Sequence, residues 1–490
     1  MKRLFTILAI ALACCATEAS AQLKTAYFME GSYFRTDMNP ALAPTRGYIA
    51  LPGMSGIGVS VSSNFLSVDN LLYKRDGKVV TFLHKSVSAN DFLGKMPNTN
   101  KLYSDETVNI LGVGWHTKRM FWNFGINLRT QAEFSLGKDI FKALKTLGNG
   151  RYDLHGSSVG VSAYTEIYVG AAIPIKEFAT FGFRVKGLLG LANAEMKMEQ
   201  MYANVTDNAV RAELTGSVRG NAICFKNNYM PGTKITSGNI KDVLLETNAG
   251  NMLKGIKSGG VAVDLGAEVR LLDDRLKVSG ALTDLGFICW SKRTTANAQL
   301  DGNFSYTGID FNNDSKAKTD SDFDAVMTEP TGGYTTRLNC ALNLGVEYNI
   351  LNNHIAFGLL SHTQFCQSMS YTELTASVNF RIGRSFSTTV SHTFLNHNKL
   401  GIFGFALNVH PTGFNLFLGA DYIDCNFAKY EKAPVPKFAK SMNFYFGMGF
   451  NLGKAKYMHS MQPKPKAAKP AKATKPAKSH RRTKRSAPQA

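Results

Sequence analysis

The sequence is short of several features whose absence narrows its class. Beyond the first twenty residues, no run is apolar and long enough for a transmembrane helix, which needs about 20 such residues. If this chain spans a membrane, it must do so with strands. Cysteine is scarce, with seven in 490 residues, and Cys14 and Cys15 fall within the apolar leader. The other five, Cys224, Cys289, Cys340, Cys366 and Cys425, are odd in number and widely scattered, with no C-x-x-C spacing. That excludes a disulfide framework and a cysteine metal site, and they read as small apolar strand residues. There is no G-x-S-x-G, no Ser/His pair at a recognisable spacing and no metal motif, so neither an enzyme nor a cofactor is expected. His354, His362, His392, His397 and His410 form no helical i, i+4 pair and read as lumen or interface residues.

Acidic residues are also the scarcer sign, 36 against 56 Lys and Arg, for a net charge of +20. From Lys454 onward there are twelve bases and no acid, and residues 1–21 contribute +1, which leaves the body at +7. The charge argument is therefore an argument about the tail. The Lys-Pro-Ala composition of residues 454–490 cannot bury a core and is expected to be disordered. In a secreted protein such a tail meets peptidoglycan carboxylates, anionic lipid or acidic periplasmic proteins, and no nucleic acid is expected. Tethering to the cell wall would be checked by losing salt-sensitive peptidoglycan binding on its deletion.

The start is a secretory signal: Lys2-Arg3, an apolar run, then Ala19-Ser20-Ala21. Cleavage is expected between Ala21 and Gln22. Lipidation at Cys14 or Cys15 is the rival, but the preceding apolar stretch is short and Ala11 stands where leucine is usual.

What the chain has in quantity is alternation. Ser441–Leu452 places Phe444, Phe446, Met448, Phe450 and Leu452 on one face and Asn443, Tyr445, Gly447, Gly449 and Asn451 on the other. Arg119–Phe134 sets Trp122, Phe124, Ile126 and Leu128 against Asn123, Asn127, Arg129, Gln131 and Glu133. Period two alone fits both a soluble sandwich with an apolar core and a membrane barrel with lipid outside. Secretion, the aromatic final strand and the length of the runs favour the barrel. Fourteen to seventeen strands can be counted, depending on the treatment of Tyr48–Leu51 and residues 195–206. The expected class is an all-β antiparallel transmembrane barrel of about fourteen strands over residues 48–453. An even count puts both termini on the periplasmic side of a Gram-negative outer membrane. Residues 74–100 read as a polar loop, and Lys138–Leu147 as a short helix, either a lid or a packed loop helix. Asp320, Asp322 and Asp324 begin like a calcium loop, but Ala325 and Thr331 replace the required Gly and Glu, so a solvated loop is expected.

Residues 22–47 lack a clean period and read as an irregular segment, a candidate plug. Its Asn39-Pro40-Ala41 resembles the tripeptide near the start of the FadL-type family of long-chain fatty-acid and hydrophobic-compound transporters. Asp264-Leu265-Gly266 and Asp284-Leu285-Gly286, with Trp290 and Gly308-Ile309-Asp310, resemble an uncharacterised family of outer-membrane barrels similar to that one. The closing strand resembles those handed to the barrel-assembly machinery. The resemblance implies fourteen strands, a setting of outer-membrane lipid and lipopolysaccharide, and passage of a small hydrophobic molecule past a plug. Lumen candidates are Asn39, Pro40 and Ala41, with Arg129, Glu133, Arg184, Arg211, Glu213, Asp264, Glu268, Arg270, Arg337, Glu347 and Arg381. Their mixed signs fit a salt-bridged closed lumen as readily as a channel. The alternative is a structural or secretion-accessory barrel binding protein partners, a use that related barrels have in type IX secretion.

Overall fold

The computed structural model describes residues 24–456 apart from short stretches, the longest being 51–54, 308–317, 396–401 and 437–440. The leader with its cleavage site, the tail beyond Lys456, Gly308-Ile309-Asp310, His397, Cys425 and the Asp320–Asp324 side chains lie outside this description.

Fourteen antiparallel strands form a closed barrel. The first, β1, comes in two arms, Gly47–Ala50 and Ile57–Ser63. Next are β2 (Thr99–His116), β3 (Phe121–Gly137), β4 (Ser158–Lys176) and β5 (Ala179–Thr206). They are followed by β6 (Ser258–Leu271), β7 (Leu276–Trp290), β8 (Cys340–Ile350) and β9 (Ile355–Phe365). The last five are β10 (Tyr371–Ile382), β11 (Phe386–Leu395), β12 (Ile402–Val409), β13 (Asn415–Asp424) and β14 (Ser441–Leu452). Each pairs with the next in sequence, and β14 returns to both arms of β1, with Ile49 opposite Phe450 and Ile57 opposite Phe446. Closure removes the free edge that a hydrocarbon environment would not tolerate.

Burial decides which face is inside. Along β14, Asn443 is fully buried while Phe450 is 51% exposed. Along β3, Asn123, Asn127, Arg129 and Gln131 are buried and the intervening apolar residues face out. A sandwich requires the opposite order, so the polar face lines a lumen and the apolar face is built for lipid.

One mouth carries the tight turns. Two of them, at Leu272–Asp274 and Leu351–Asn353, run three successive non-glycine residues through positive φ. The other mouth carries the long connections. The connection from β1 to β2, of which residues 74–100 were expected as a loop, holds a hairpin (Leu72–Arg75 with Lys78–Thr81) and a short helix, Ala89–Leu93. Its Phe65, Tyr73, Val87, Phe92 and Met96 enclose Phe141 of the helix Lys138–Thr146. The apolar residues there have no regular period, so only packing reveals them as a core. The strand Ala209–Ala222, whose Arg211 and Glu213 were expected in the lumen, instead pairs with the outer half of β5 and with Thr295–Thr307. Lys318–Thr328, expected as an acidic loop, extends that sheet as another strand.

Among the bulges in the wall, two hold a non-glycine residue at positive φ, Asp284 on β7 (φ 59°) and Tyr422 on β13 (φ 61°). Each turns two consecutive side chains into the lumen, Thr283 with Asp284 and Asp421 with Tyr422.

Candidate functional site: the plugged lumen

The segment before β1 fills the barrel. Residues 24–46 fold into two short helical turns, Lys24–Ala26 and Arg35–Met38, joined by aperiodic chain that is buried almost throughout. With so little regular structure, its stability comes from what it touches. Wall glycines provide the seats. A methyl group on Gly182 would overlap the Pro40–Ala41 backbone, and one on Gly266 the Asn39 side chain. Gly345, Gly358, Gly404 and Gly447 sit in the same way under Tyr27, Phe28, Thr25 and Phe34. Asn39 is the hinge of the tripeptide. Its Nδ2 donates to the Tyr27 hydroxyl at 3.0 Å and to the wall carbonyls of Ala267 and Gly280, both at 3.4 Å. Its Oδ1 accepts from Ala41 N–H at 2.9 Å. Asn343 Nδ2 donates to Met38 O at 2.8 Å.

Ion pairs fix the segment further. Arg184, from β5, reaches Asp37 at 2.8 Å and donates to Thr36 Oγ1 at 3.0 Å. Beneath it lies a buried ladder in which Lys186 contacts Asp264 (2.9 Å) and Asp284 (2.5 Å), and Arg129 contacts Asp284 (2.8 Å) and Asp105 (3.3 Å). Asp264 Oδ1 accepts the bulged Asp284 N–H at 2.7 Å, so the two Asp-Leu-Gly triplets meet across β6 and β7. Nearer the short-turn mouth, Glu30 pairs with Lys277, and Arg381 pairs with Glu347 and donates to Phe28 O at 2.9 Å. Burial opposes ionisation of Glu30, yet Arg381 and Lys277 hold its carboxyl well below the usual carboxylate range. Towards the other mouth, Lys24 pairs with Glu373 at 3.3 Å and donates to the Tyr422 hydroxyl at 2.5 Å. The first described residues therefore lie inside the lumen.

A sequence family described as a family of unknown function (DUF5723) matches residues 40–421. The chain belongs to this family. No curated protein sequence matches it. Among solved structures, the toluene transporter TodX of Pseudomonas putida is 9% identical, with 89% of this chain and 95% of that one covered at a TM-score of 0.36. The toluene transporter TbuX of Ralstonia pickettii is 10% identical, with 89% and 96% covered at a TM-score of 0.32. The monoaromatic hydrocarbon channel CymD is 9% identical, with 90% and 95% covered at 0.34. Scores this low carry no argument about cargo, and the fourteen-strand fold stands on the closed sheet itself.

In this DUF5723 barrel, Arg129, Arg184, Asp264, Glu268, Arg270, Glu347 and Arg381 are buried on the lumen side, and Asn39, Pro40 and Ala41 belong to the plug. Glu133 is part-buried and accepts from Asn339 at 3.3 Å. Three assignments need correction. Arg337 is exposed on Tyr334–Arg337 opposite outward-facing Phe287. Glu213 is exposed, and Arg211 shares its strand, which lies outside the barrel wall. All three sit where alternation holds but the strand has left the wall or its face has turned, and periodicity carries no record of either. Asp105, Glu166, Lys186, Asp284 and the plug's Glu30 and Asp37 were missed. Lys186 and Asp284 lay in view, opposite apolar neighbours and in a repeated triplet, while the plug acids have no period to betray them.

The register of the wall shifts behind the plug's aromatic pair, Tyr33 and Phe34. Ala50 of the first arm of β1 pairs with Gly112 of β2, and Ile57 of the second arm with Val108, so between its arms the register of β1 gains three residues on β2. Tyr33 Oη donates to Ser55 O (2.9 Å) and Met448 O (3.1 Å) there. Tyr33 stacks on Tyr48 at 4.3 Å, and Phe34 meets Tyr445 edge-on at 4.4 Å. The cavity bordered by Tyr33, Phe34 and Tyr48 measures about 10 Å³, room for about one water.

Proposed function

We propose that the protein is an outer-membrane barrel that passes a small hydrophobic molecule, admitted past the plug and released through the wall at the seam between β1, β2 and β14. The observation that carries this reading is the register excess in β1, backed by the aromatic pair Tyr33 and Phe34. A molecule leaving there enters lipid directly and never has to cross the charged ladder, where unpairing a buried ion costs about 3–5 kcal/mol. On this reading the short-turn mouth, with the start of β1 and the end of β14, faces the periplasm.

The seating of the plug favours a second reading, a closed scaffold that binds protein partners. Six glycine contacts and ion pairs at three levels fix the plug as firmly as a core element.

One experiment separates the two. Cells lacking the gene are compared with cells carrying the full chain or a variant lacking residues 51–53, which restores an equal residue count against β2. Transport predicts uptake of labelled aromatic hydrocarbon or fatty acid that falls on gene deletion, returns with the full chain and stays low with the variant, while heat-modifiable folding is retained. Uptake indifferent to the gene would end the transport reading and leave the scaffold.

A further inference from the structure

The short-turn mouth holds a cavity of about 830 Å³ between the plug and the turns after β6 and β8. Five cations and four carboxylates line it, and most of them are spoken for. Lys277 is taken by Glu30 and Glu347, and Arg270 by Glu268 and Asp274. Arg35 is different. It comes from the plug, is 6% exposed and borders the cavity, yet no carboxylate among the described residues lies within ion-pairing distance. Its Nε has no hydrogen-bond partner. Glu30, on which its charge acts, is already held by Lys277 and Arg381. At the rim, Arg275 and Lys456 are exposed and add two more cations, with Asp273 as the exposed acid beside them.

A guanidinium is a permanent charge that presents five N–H donors in a fixed fork. A buried permanent charge needs a counter-charge or a full set of acceptors, yet among the described residues no carboxylate pairs with Arg35 and its Nε goes unmet. We propose that the mouth cavity is a binding site for a small oxyanion, a carboxylate or phosphate, gripped by the planar fork of Arg35 at the floor and drawn in by Arg275 and Lys456 at the rim. Two parallel N–H donors match the two oxygens of either group. The rim cations raise the local anion concentration and guide it inward. The site is separate from the seam and stands whether or not the barrel transports.

The test is isothermal titration of the refolded full chain in detergent with sodium phosphate and, in a second arm, sodium hexanoate. Saturable binding in at least one arm is expected, weakened at least tenfold in Arg35→Gln. Binding of phosphate alone would identify a phosphate-bearing ligand, and binding of hexanoate alone a carboxylate-bearing one. Arg275→Gln/Lys456→Gln, changed only at exposed positions, should weaken the same arm severalfold and decides the matter if Arg35→Gln does not fold. Absence of saturable binding in both arms would overturn the site, as would affinities unchanged in the variants.

Discussion

A single added methyl at Gly182 bears on whether the lumen is closed, because it would meet main chain at Pro40–Ala41 and no flexible side chain could yield. Overpacking of this kind costs about 1–3 kcal/mol. The wall is hydrogen-bonded on both sides at this position, so the aperiodic plug should give way first. Gly182→Val is expected to produce conductance steps in planar bilayers that the parent chain lacks, with the barrel still heat-modifiable. A silent variant whose plug stays protease-resistant would refute this. The ladder makes a different demand. Lys186 is the shared counter-ion of Asp264 and Asp284, all three nearly inaccessible. Lys186→Met leaves both carboxylates undercompensated and should cost about 3–5 kcal/mol. The urea midpoint of the refolded barrel would register it, and a loss below about 1 kcal/mol would mean that Arg129 and Arg184 suffice.

At the scale of elements, the plug and β1 are continuous chain, and so movement of one bears on the other. The plug turn at Gly31 packs on the His410 ring, and Asn415 Nδ2 donates to Gly31 O at 3.1 Å. Burial, reinforced by the nearby Arg46 charge, lowers His410 to about 4. A histidine depressed in the folded state stabilises the fold above its unfolded value of about 6.5, and that contribution is lost as pH falls towards 4. Glu30 remains ionised across this window and does not compete. Hydrogen-exchange protection around residues 29–33 should therefore decline between pH 6.5 and 4, less steeply in His410→Gln. Protection that is flat in the parent would contradict the assignment. The bulges at Asp284 and Tyr422 act at the same scale, since each delivers two lumen side chains where a regular strand delivers one. They bring Asp284 to Lys186 and Tyr422 to Lys24.

For the whole molecule, the class of fold was legible in residues such as Phe444, Phe450 and Asn443, because alternation at period two is a local property of strands. The fourteen-strand count came from a resemblance, and the closed sheet bears it out. Seven of the eleven charged lumen candidates could be named because each lay on the polar side of a strand that stayed in the wall. Arg211, Glu213 and Arg337 could not be placed, because membership of the wall depends on which strands pair, and pairing is a long-range outcome. By itself the sequence determined the strands, their two faces and the irregular segment ahead of them, all of which follow from residue order over a few positions. The tertiary structure decided the rest. Only closure of β14 onto β1 chose the polar face as the inside, and only the packed lumen matched glycines to the plug. Only there, too, was Arg35 left without a paired carboxylate among the described residues, since these contacts join residues up to hundreds of positions apart.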